Sequence, residues 1–570
     1  MQSINKTTTN RRGTRPLSET ASQSAFFNPR VVLGFVLCSL SILLALLGSS
    51  VNSTSSALAA PPDQSDSQPI VGASYKNDVS PALRDVAQGW PLQFNAQHEA
   101  AENPKIPNNH QDSLDTVVQD KFVSALALLA PLIPSPILSF DGIRFPGVGC
   151  NCAPPDTNGS VGTTQFVQMV NEGYQVFDKT TGRSILGPNS IESLWSGFGG
   201  ACENFGLGDP TVVFDKAAKR WVITEFASRN GNIPVTDYCI AVSTTDDATG
   251  TYNRYGFHLS NNFIDYPKLG VWPDAYYLSV NVFNSSGTAF LGPQPYAFDR
   301  AKMIAGMPAT FIQFPPLGSN HAPFLPSDLD GNIKPPPGAP NTYVEFPASG
   351  FYNVFHFHVN FVTPTGSTFT LFATPPAAAF TQLCPATRAC VPQLGAGGSN
   401  SLDGIGDRLM YRLAYRRFGD GHESLVGNYT VKSNNVAAVR WFELRRVTAG
   451  PVRVFQENTY QPDATHRWMG SAAMDRFGNL VIGFSASSAT IHPQIRYAGR
   501  LATDPLNTLA QGEAHLFNGA GSQLDTGNRW GDYSSMAIDP VDDLTFWYTT
   551  EYYNTNSSFN WRTRIGKFHF

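Results

Sequence analysis

The sequence predicts an all-β chain assembled from a repeated unit, and three observations carry that prediction. The composition is the first: 42% of the 570 residues are hydrophobic and 15% charged, with 49 glycines and 42 prolines, which suits a large core threaded by tight turns. The second is a recurring two-strand phrase. Arg529-Trp530-Gly531-Asp532-Tyr533 opens an apolar run that turns at Asp539 into Leu544 to Glu551. Arg467-Trp468-Met469-Gly470 opens the same order through Asp475 into Leu480 to Ser485, and Gly208-Asp209-Pro210 leads through Asp215 into Trp221 to Phe226. The third is a run of strand-like segments, each followed by a glycine turn: Gly182, Gly250, Gly306, Gly366, Gly450 and Gly512, about 55 to 85 residues apart. About four short strands fill each interval, and a unit of that size buries its faces only against its neighbours. The expected architecture is a seven-bladed β-propeller over 136–570. Six or eight blades are the alternatives, because Phe314 to Gly404 is loop-rich, with insertions at Lys334 to Gly338 and Gly395 to Gly398.

Ahead of the propeller, 1–30 is a polar segment whose Lys6, Arg11, Arg12, Arg15 and Arg30 favour a cytoplasmic side. Val31 to Gly48 follows as an apolar stretch of about eighteen residues. It reads either as a signal cleaved near Ala57-Leu58-Ala59 or as an uncleaved anchor, so the bulk of the chain is exported, secreted or held by one N-terminal membrane helix. Residues 49–112, rich in Pro, Gln, Asn and Ser, read as a disordered linker or propeptide. In 113–130, Leu114, Val117, Val118, Phe122, Ala125, Leu126 and Leu129 recur at three-and-four spacing before Pro131, which predicts a short helix. The final blade runs out of chain at Phe570 without an outer strand. Ile137 to Ile143 is the expected lender, pairing with Ile565 to Phe570.

Six cysteines lie beyond the apolar stretch, an even number in an exported chain, which predicts disulfides. Cys202 with Cys239 and Cys384 with Cys390 are the expected pairs. The net charge of -5 and the absence of a basic stripe exclude a nucleic-acid partner. The expected partner is a glycan or an extracellular protein, with the membrane involved only through an uncleaved leader. No metal site or cofactor is predicted. Asp156 to Gly159 and Asp328 to Asn332 resemble fragments of calcium loops and leave calcium open, although neither has the distal Glu of an EF-hand and simple turns explain both.

In a propeller the innermost strands start at one mouth of the channel, so residues just before them converge. Those residues are Asp156, Asp209, Asp265, Tyr266, Asp407, Arg408, His466, Arg467, Trp468, Arg529, Trp530, Asp532 and Tyr533. Glu225 and Glu551 follow second strands in matching contexts. Paired carboxylates serve glycosidic cleavage, arginines clamp a carboxylate, and aromatic faces stack on sugars, a combination suited to an acidic glycan. The plainer alternative is that the repeated Asp residues tie backbone N–H groups of adjacent blades while the Arg-Trp pairs fill gaps.

Three runs, Pro154-Pro155-Asp156-Thr157-Asn158-Gly159, Gly406-Asp407-Arg408-Leu409-Met410-Tyr411-Arg412 and Arg467-Trp468-Met469-Gly470, carry a resemblance. Over Cys150 to Phe570 the chain resembles secreted bacterial β-propellers grouped with the sialidase-like superfamily, a set marked by these runs rather than by a shared reaction. The resemblance implies Arg408, Arg467 and Arg529 as an arginine clamp, with Tyr533 and Glu551 as a nucleophile pair. Of the repeated turns found in sialidases, only Ala473 to Leu480 approaches the pattern. The resulting expectation is an exported propeller that binds a glycan or protein at its channel mouth. The alternative is a sialidase-like hydrolase or lyase of an acidic glycan, with Glu225, Glu551 and Tyr533 as catalytic groups.

Overall fold

The computed structural model describes residues 67–86, 106–107, 109–121, 131–147, 153–231, 234–395 and 401–570. The apolar stretch 31–48, the cleavage site and Cys150 and Cys152 lie outside them. Among the described residues no helix is long and apolar enough to cross a membrane.

Nearly every strand belongs to a four-stranded antiparallel meander. The first comprises Asn158–Val161, Gln165–Val170, Gly173–Asp178 and Ser184–Ser190. Its first two strands are joined by a tight turn, and five of its inner positions, Phe166, Val167, Met169, Val170 and Tyr174, are fully buried. The same plan recurs from Thr211–Asp215 to Tyr252–His258 and from Phe263–Val271 to Thr310–Gln313. It recurs again from Phe324–Asp330 to Thr368–Ala373, from Met410–Arg417 to Arg453–Tyr460 and from His466–Met474 to Glu513–Asn518. The innermost strand of each meander packs on that of the next, and the last, Ser535–Ile538, packs on the first, Asn158–Val161. The fold is therefore a β-propeller, its strands radiating from a central channel.

The C-terminal meander contributes Ser535–Ile538, Phe546–Tyr553 and Trp561–Phe568 and takes its outer strand from far upstream. Leu138–Arg144 pairs antiparallel with Trp561–Phe568, with Leu138 opposite Lys567 and Phe140 opposite Ile565. The expected lending of the 137–143 segment is thus what the chain does. Inner hydrogen bonds seal the same seam: Ser535 Oγ donates to the Gly159 carbonyl at 2.8 Å, and Gln168 Nε2 to Thr549 Oγ1 at 2.7 Å.

Two upstream expectations are corrected. The 49–112 linker contains an ordered strand, Ile70–Val79, which pairs with both Tyr252–His258 and Thr310–Gln313 and so stitches the outer edges of two meanders together. A Cβ at its Gly72 would stand 2.1 Å from the Phe311 ring, so any larger residue there would have to displace that ring. Asp78 anchors it by accepting both Arg254 Nε and Nη2, at 2.8 and 2.7 Å. The predicted 113–130 helix is not formed over 113–121, and 122–130 lie outside the described residues. Val118–Gln119 instead runs parallel to Thr459 and Tyr460, while the Asp115 carboxylate accepts Arg440 Nη2 at 2.8 Å and Thr459 Oγ1 at 2.6 Å. Backbone donors of an open sheet edge and a buried arginine outweigh the helical spacing.

Both expected disulfides are present. Cys202–Cys239, with an S–S distance of 2.05 Å, fastens the short helix Ala201–Asn204 to the strand Asp237–Ser243. Cys384–Cys390 closes a loop on the face where the innermost strands begin.

Deleting Ile137 to Ile143 removes a full strand ladder together with the buried Ile143 side chain. The expected result is a loss of several kcal/mol in a denaturant melt; an unchanged midpoint would show that the ring closes without this strand.

Candidate functional site: the axial charge cluster

At the mouth where the innermost strands begin, the chain reaches the axis in a left-handed conformation repeated from unit to unit. Asp156 has φ 46°, Asp209 45°, Tyr266 52°, Met469 55° and Gly531 47°. Asp and Gly accept this region readily; Tyr266 and Met469 occupy it at a cost, held by their surroundings. The kink turns the following side chains inward, and at Tyr266 it falls in a bulge between Asp265 and Lys268.

Lys268 is the centre of the resulting cluster. Its Nζ lies 3.8 Å from the centroids of both the Tyr266 and Tyr533 rings and donates to the Pro267 carbonyl at 3.0 Å. Each tyrosine is fixed in turn by its hydroxyl, Tyr266 donating to Leu409 O at 3.2 Å and Tyr533 to Pro210 O at 3.0 Å. Burial lowers the Lys268 pKa, while Asp209, Asp532, Asp156 and Asp265 around it favour its charge. Sequence reading passed over this lysine. The signal was available, since Lys268 is a lone cation in the otherwise apolar run Leu269-Gly270-Val271 and follows a proline.

The carboxylates divide into two classes. Asp532 contacts the Arg529 guanidinium directly. Burial opposes its ionisation, yet Arg529, Arg388, Arg408 and Lys268 hold its pKa below the usual value. Asp407 behaves alike: burial opposes ionisation, and Arg408, donating at 2.7 and 3.3 Å, outweighs it. Asp156 is pushed well up, first by burial and then by Asp532 and Asp209. Its two oxygens accept the Asp532 backbone N–H at 2.7 Å and Asn171 Nδ2 at 3.1 Å. Asp265 is pushed up to about 7 by burial and by Asp209, against Arg408.

Arg388, carried on the loop closed by Cys384–Cys390, donates to Asp403 at 2.6 and 3.3 Å, and Arg529 Nε lies 3.5 Å from the same carboxylate. Six carboxyls thus face the four cations Lys268, Arg388, Arg408 and Arg529. Opposed charges, together with the raised proton affinity of Asp156 and Asp265, are how so many ionisable groups tolerate a site where Asp156, Asp209, Asp265, Arg408, Arg529 and Asp532 are all buried. Asp407 is the member that keeps some exposure.

The structure therefore brings Asp209, Asp265, Asp407, Arg408, Arg529, Asp532 and Tyr533 together, sets Glu551 at the cluster's border, and places Glu225, Arg467, Trp468 and Trp530 elsewhere. Arg467 is a correction to the three-arginine clamp. Its donors go to Asp463 (2.9 and 3.1 Å), Glu513 (2.6 and 3.3 Å) and Thr465 O (2.7 Å), so it fills the gap behind Tyr460 and has nothing left for a ligand. Trp468 and Trp530 pack on each other at 5.9 Å in a buried apolar cluster, with Trp530 Nε1 donating to Ser485 Oγ. Glu551 is buried beside Gly531 and its pKa is raised well above the usual value by that burial, against Arg529. Glu225 stands apart, near Glu192 and Glu172 and the Trp195 indole, and burial followed by those two carboxyls raises it as well. The calcium-like fragment at Asp328 to Asn332 has both its carboxylates on Arg412, at 2.6 and 2.7 Å. Among the described residues no group of three or more His, Cys, Asp or Glu side chains is arranged to hold a metal ion.

No family model matches the chain, and no curated protein does. Solved structures similar to it include the endo-arabinase from Bacteroides thetaiotaomicron, at 17% identity over 51% of this chain and 94% of that one, with a TM-score of 0.26. The Trypanosoma rangeli sialidase is 12% identical over 63% and 54%, with a TM-score of 0.31. The GH93 α-L-arabinofuranosidase of Fusarium graminearum is 9% identical over 77% and 98%, with a TM-score of 0.34. At such values these likenesses transfer no residue role and no reaction to this chain.

Two outcomes follow from the cluster and its neighbour. Asp265 keeps its proton to about pH 7 in the folded chain but loses it near pH 4 when unfolded. In that window the unfolded state binds fewer protons, so stability falls as pH rises. Asp265→Asn should flatten the melting temperature between about pH 4 and 7; an unaltered slope would contradict the assignment. Arg467→Met leaves Glu513 held by Arg496 alone and removes the hydrogen bonds to Asp463 and Thr465, and should cost about 1–3 kcal/mol in a chemical melt, a cost the gap-filling role requires and a ligand clamp does not.

Proposed function

We propose that this chain is an exported, seven-bladed β-propeller that holds a glycan or protein ligand at a mouth of its channel without breaking a bond in it. The observation that carries the reading is the engagement of the axial carboxylates: Asp156 takes a backbone N–H and an amide, while Asp407 and Asp532 are held by arginines. Hydrolysis of a glycosidic bond needs two carboxyls in an open pocket, one of them free to give up a proton and the other to attack or to activate water. Groups locked in an enclosed network do neither. The two disulfides support export, since such bonds persist in oxidising compartments. Whether the leader is cleaved or anchors the chain belongs to the same proposal.

A second reading, a hydrolase or lyase of an acidic glycan, is favoured by one observation. The pKa of Asp156 and of Asp265 is pushed up while that of the neighbouring Asp532 is pushed down, the divergence that an acid and a base on one site require. Probing the purified full chain on a glycan array, then incubating it with each retained glycan and analysing the products, separates the two. Retention with intact glycan supports the binding reading. Cleavage that Asp532→Asn abolishes would replace it with the hydrolytic one.

A further inference from the structure

The opposite face of the ring carries a cavity that the axial cluster does not use. Asp209 precedes its innermost strand and Asp265 is the third residue of its own; Asp215 ends its strand, and Lys216, Trp272, Pro273 and Lys334 follow theirs. The five residues of Thr211–Asp215 alone set the two faces roughly 16 Å apart at a strand's rise. On this far face Asp215, Lys216, Trp272, Arg300, Leu329 and Lys334 enclose a cavity of about 180 Å³. A single water needs only roughly 10–15 Å³, so the space admits a small molecule or one residue of a larger one.

The polar lining is uneven. Asp215 is fully engaged: Arg300 donates to it at 2.6 and 3.0 Å, Tyr276 Oη at 3.0 Å and the Ala218 N–H at 3.1 Å. Arg300 is thereby neutralised, its remaining contact being the Pro273 carbonyl at 3.2 Å. Lys216 differs. Its side chain is only 14% exposed, and its one polar contact is Asp330 Oδ1 at 3.6 Å, beyond hydrogen-bond length, while the same oxygen accepts Arg412 at 2.7 Å. Arg412 also occupies Asp328, whose other oxygen takes the Val271 N–H at 2.9 Å. Lys334, at the rim, is exposed and its ammonium has no ion pair. Arg300 and Arg412 are thus spent on Asp215, Asp328 and Asp330, whereas Lys216 has no hydrogen-bonded carboxylate. The cavity walls therefore present a nearly buried ammonium without a hydrogen bond, with a second, exposed ammonium at the rim.

We propose that this cavity binds a ligand through a single oxyanion, a carboxylate or sulfate, seated between the Lys216 and Lys334 ammonium groups. An oxyanion supplies the acceptors that Lys216 lacks and offsets the charge of Lys334, and each such charge-assisted hydrogen bond is stronger than a neutral one. The limited volume selects a group of the size of one sugar acid. The site stands on the far face and does not depend on whether the axial cluster is catalytic.

The test uses the purified full chain, titrated in separate calorimetric runs with sodium glucuronate, sodium sulfate and glucose, with thermal melts alongside. Glucuronate is expected to bind and glucose not to. Lys216→Met and Lys334→Ala are each expected to weaken glucuronate about tenfold, the loss of one hydrogen bond to a charged group. Sulfate binding as tightly as glucuronate assigns the site to the oxyanion itself; weaker sulfate assigns it to an oxyanion borne on a sugar ring. Lys334 is exposed and its replacement leaves the fold intact, so it decides the matter even if Lys216→Met does not fold. Absence of saturable binding of either anion by the folded chain, or glucuronate binding unchanged in Lys334→Ala, overturns the proposal. A negative result here leaves the glycan-array result standing, so the two readings fail separately.

Discussion

Every other feature of this molecule depends on the pairing of Leu138–Arg144 with Trp561–Phe568. A meander with one exposed edge is a template for aggregation and cannot hold a ring shut, whereas a strand supplied from the other end of the chain satisfies the edge and fastens first unit to last. The seam is closed twice, on the outside by that ladder and at the axis by the Asp532 N–H held on Asp156. Lys179 on the first meander reaches Asp539 on the last at 2.8 Å, and Tyr552 reaches Asp141 at 2.9 Å. The axial cluster, whose members come from five meanders and the loops before them, exists only while that closure holds.

The cluster shows how a ring of strands resolves its own crowding. Innermost strands that start together bring their leading side chains to one point, and polar side chains there leave water. The chain meets that desolvation in three ways: arginines against Asp407, Asp403 and Asp532, two tyrosine faces around Lys268, and a proton affinity raised by burial at Asp156 and Asp265. The loop tied by Cys384–Cys390 supplies Arg388 to this balance, which gives the disulfide a role beyond its own six-residue span.

Much of this was legible in the sequence, for physical reasons that also mark where legibility stopped. The repeated Asp before each apolar run announced the convergence of Asp209, Asp265 and Asp532, because position relative to a strand start fixes which mouth a side chain faces. Arg467 was misread by the same logic. Arg529 lies in the loop before Ser535–Ile538, whereas Arg467 is already inside His466–Met474, paired opposite Ala486, so strand alternation carries it to Glu513 rather than to the axis. The helix expected at 113–130 had the right spacing, but Asp115 and Val117 find partners on Arg440 and Thr459 that lie more than three hundred residues away in sequence. Ile70–Val79 was hidden for a like reason: its alternation is broken by polar residues, and what orders it is two pre-formed sheet edges.

The central claim is that the axial cluster is a sealed network rather than an open pocket, and the Asp532 backbone amide reports on it most directly. Buried and donated to Asp156 at 2.7 Å, that N–H lies at the seam where the ring closes. Hydrogen exchange of the full chain should find it protected to nearly the level of the slowest core amides, released only by unfolding of the whole ring. Exchange at the rate of surface loops would contradict the account, since solvent would then reach the axis in the native state.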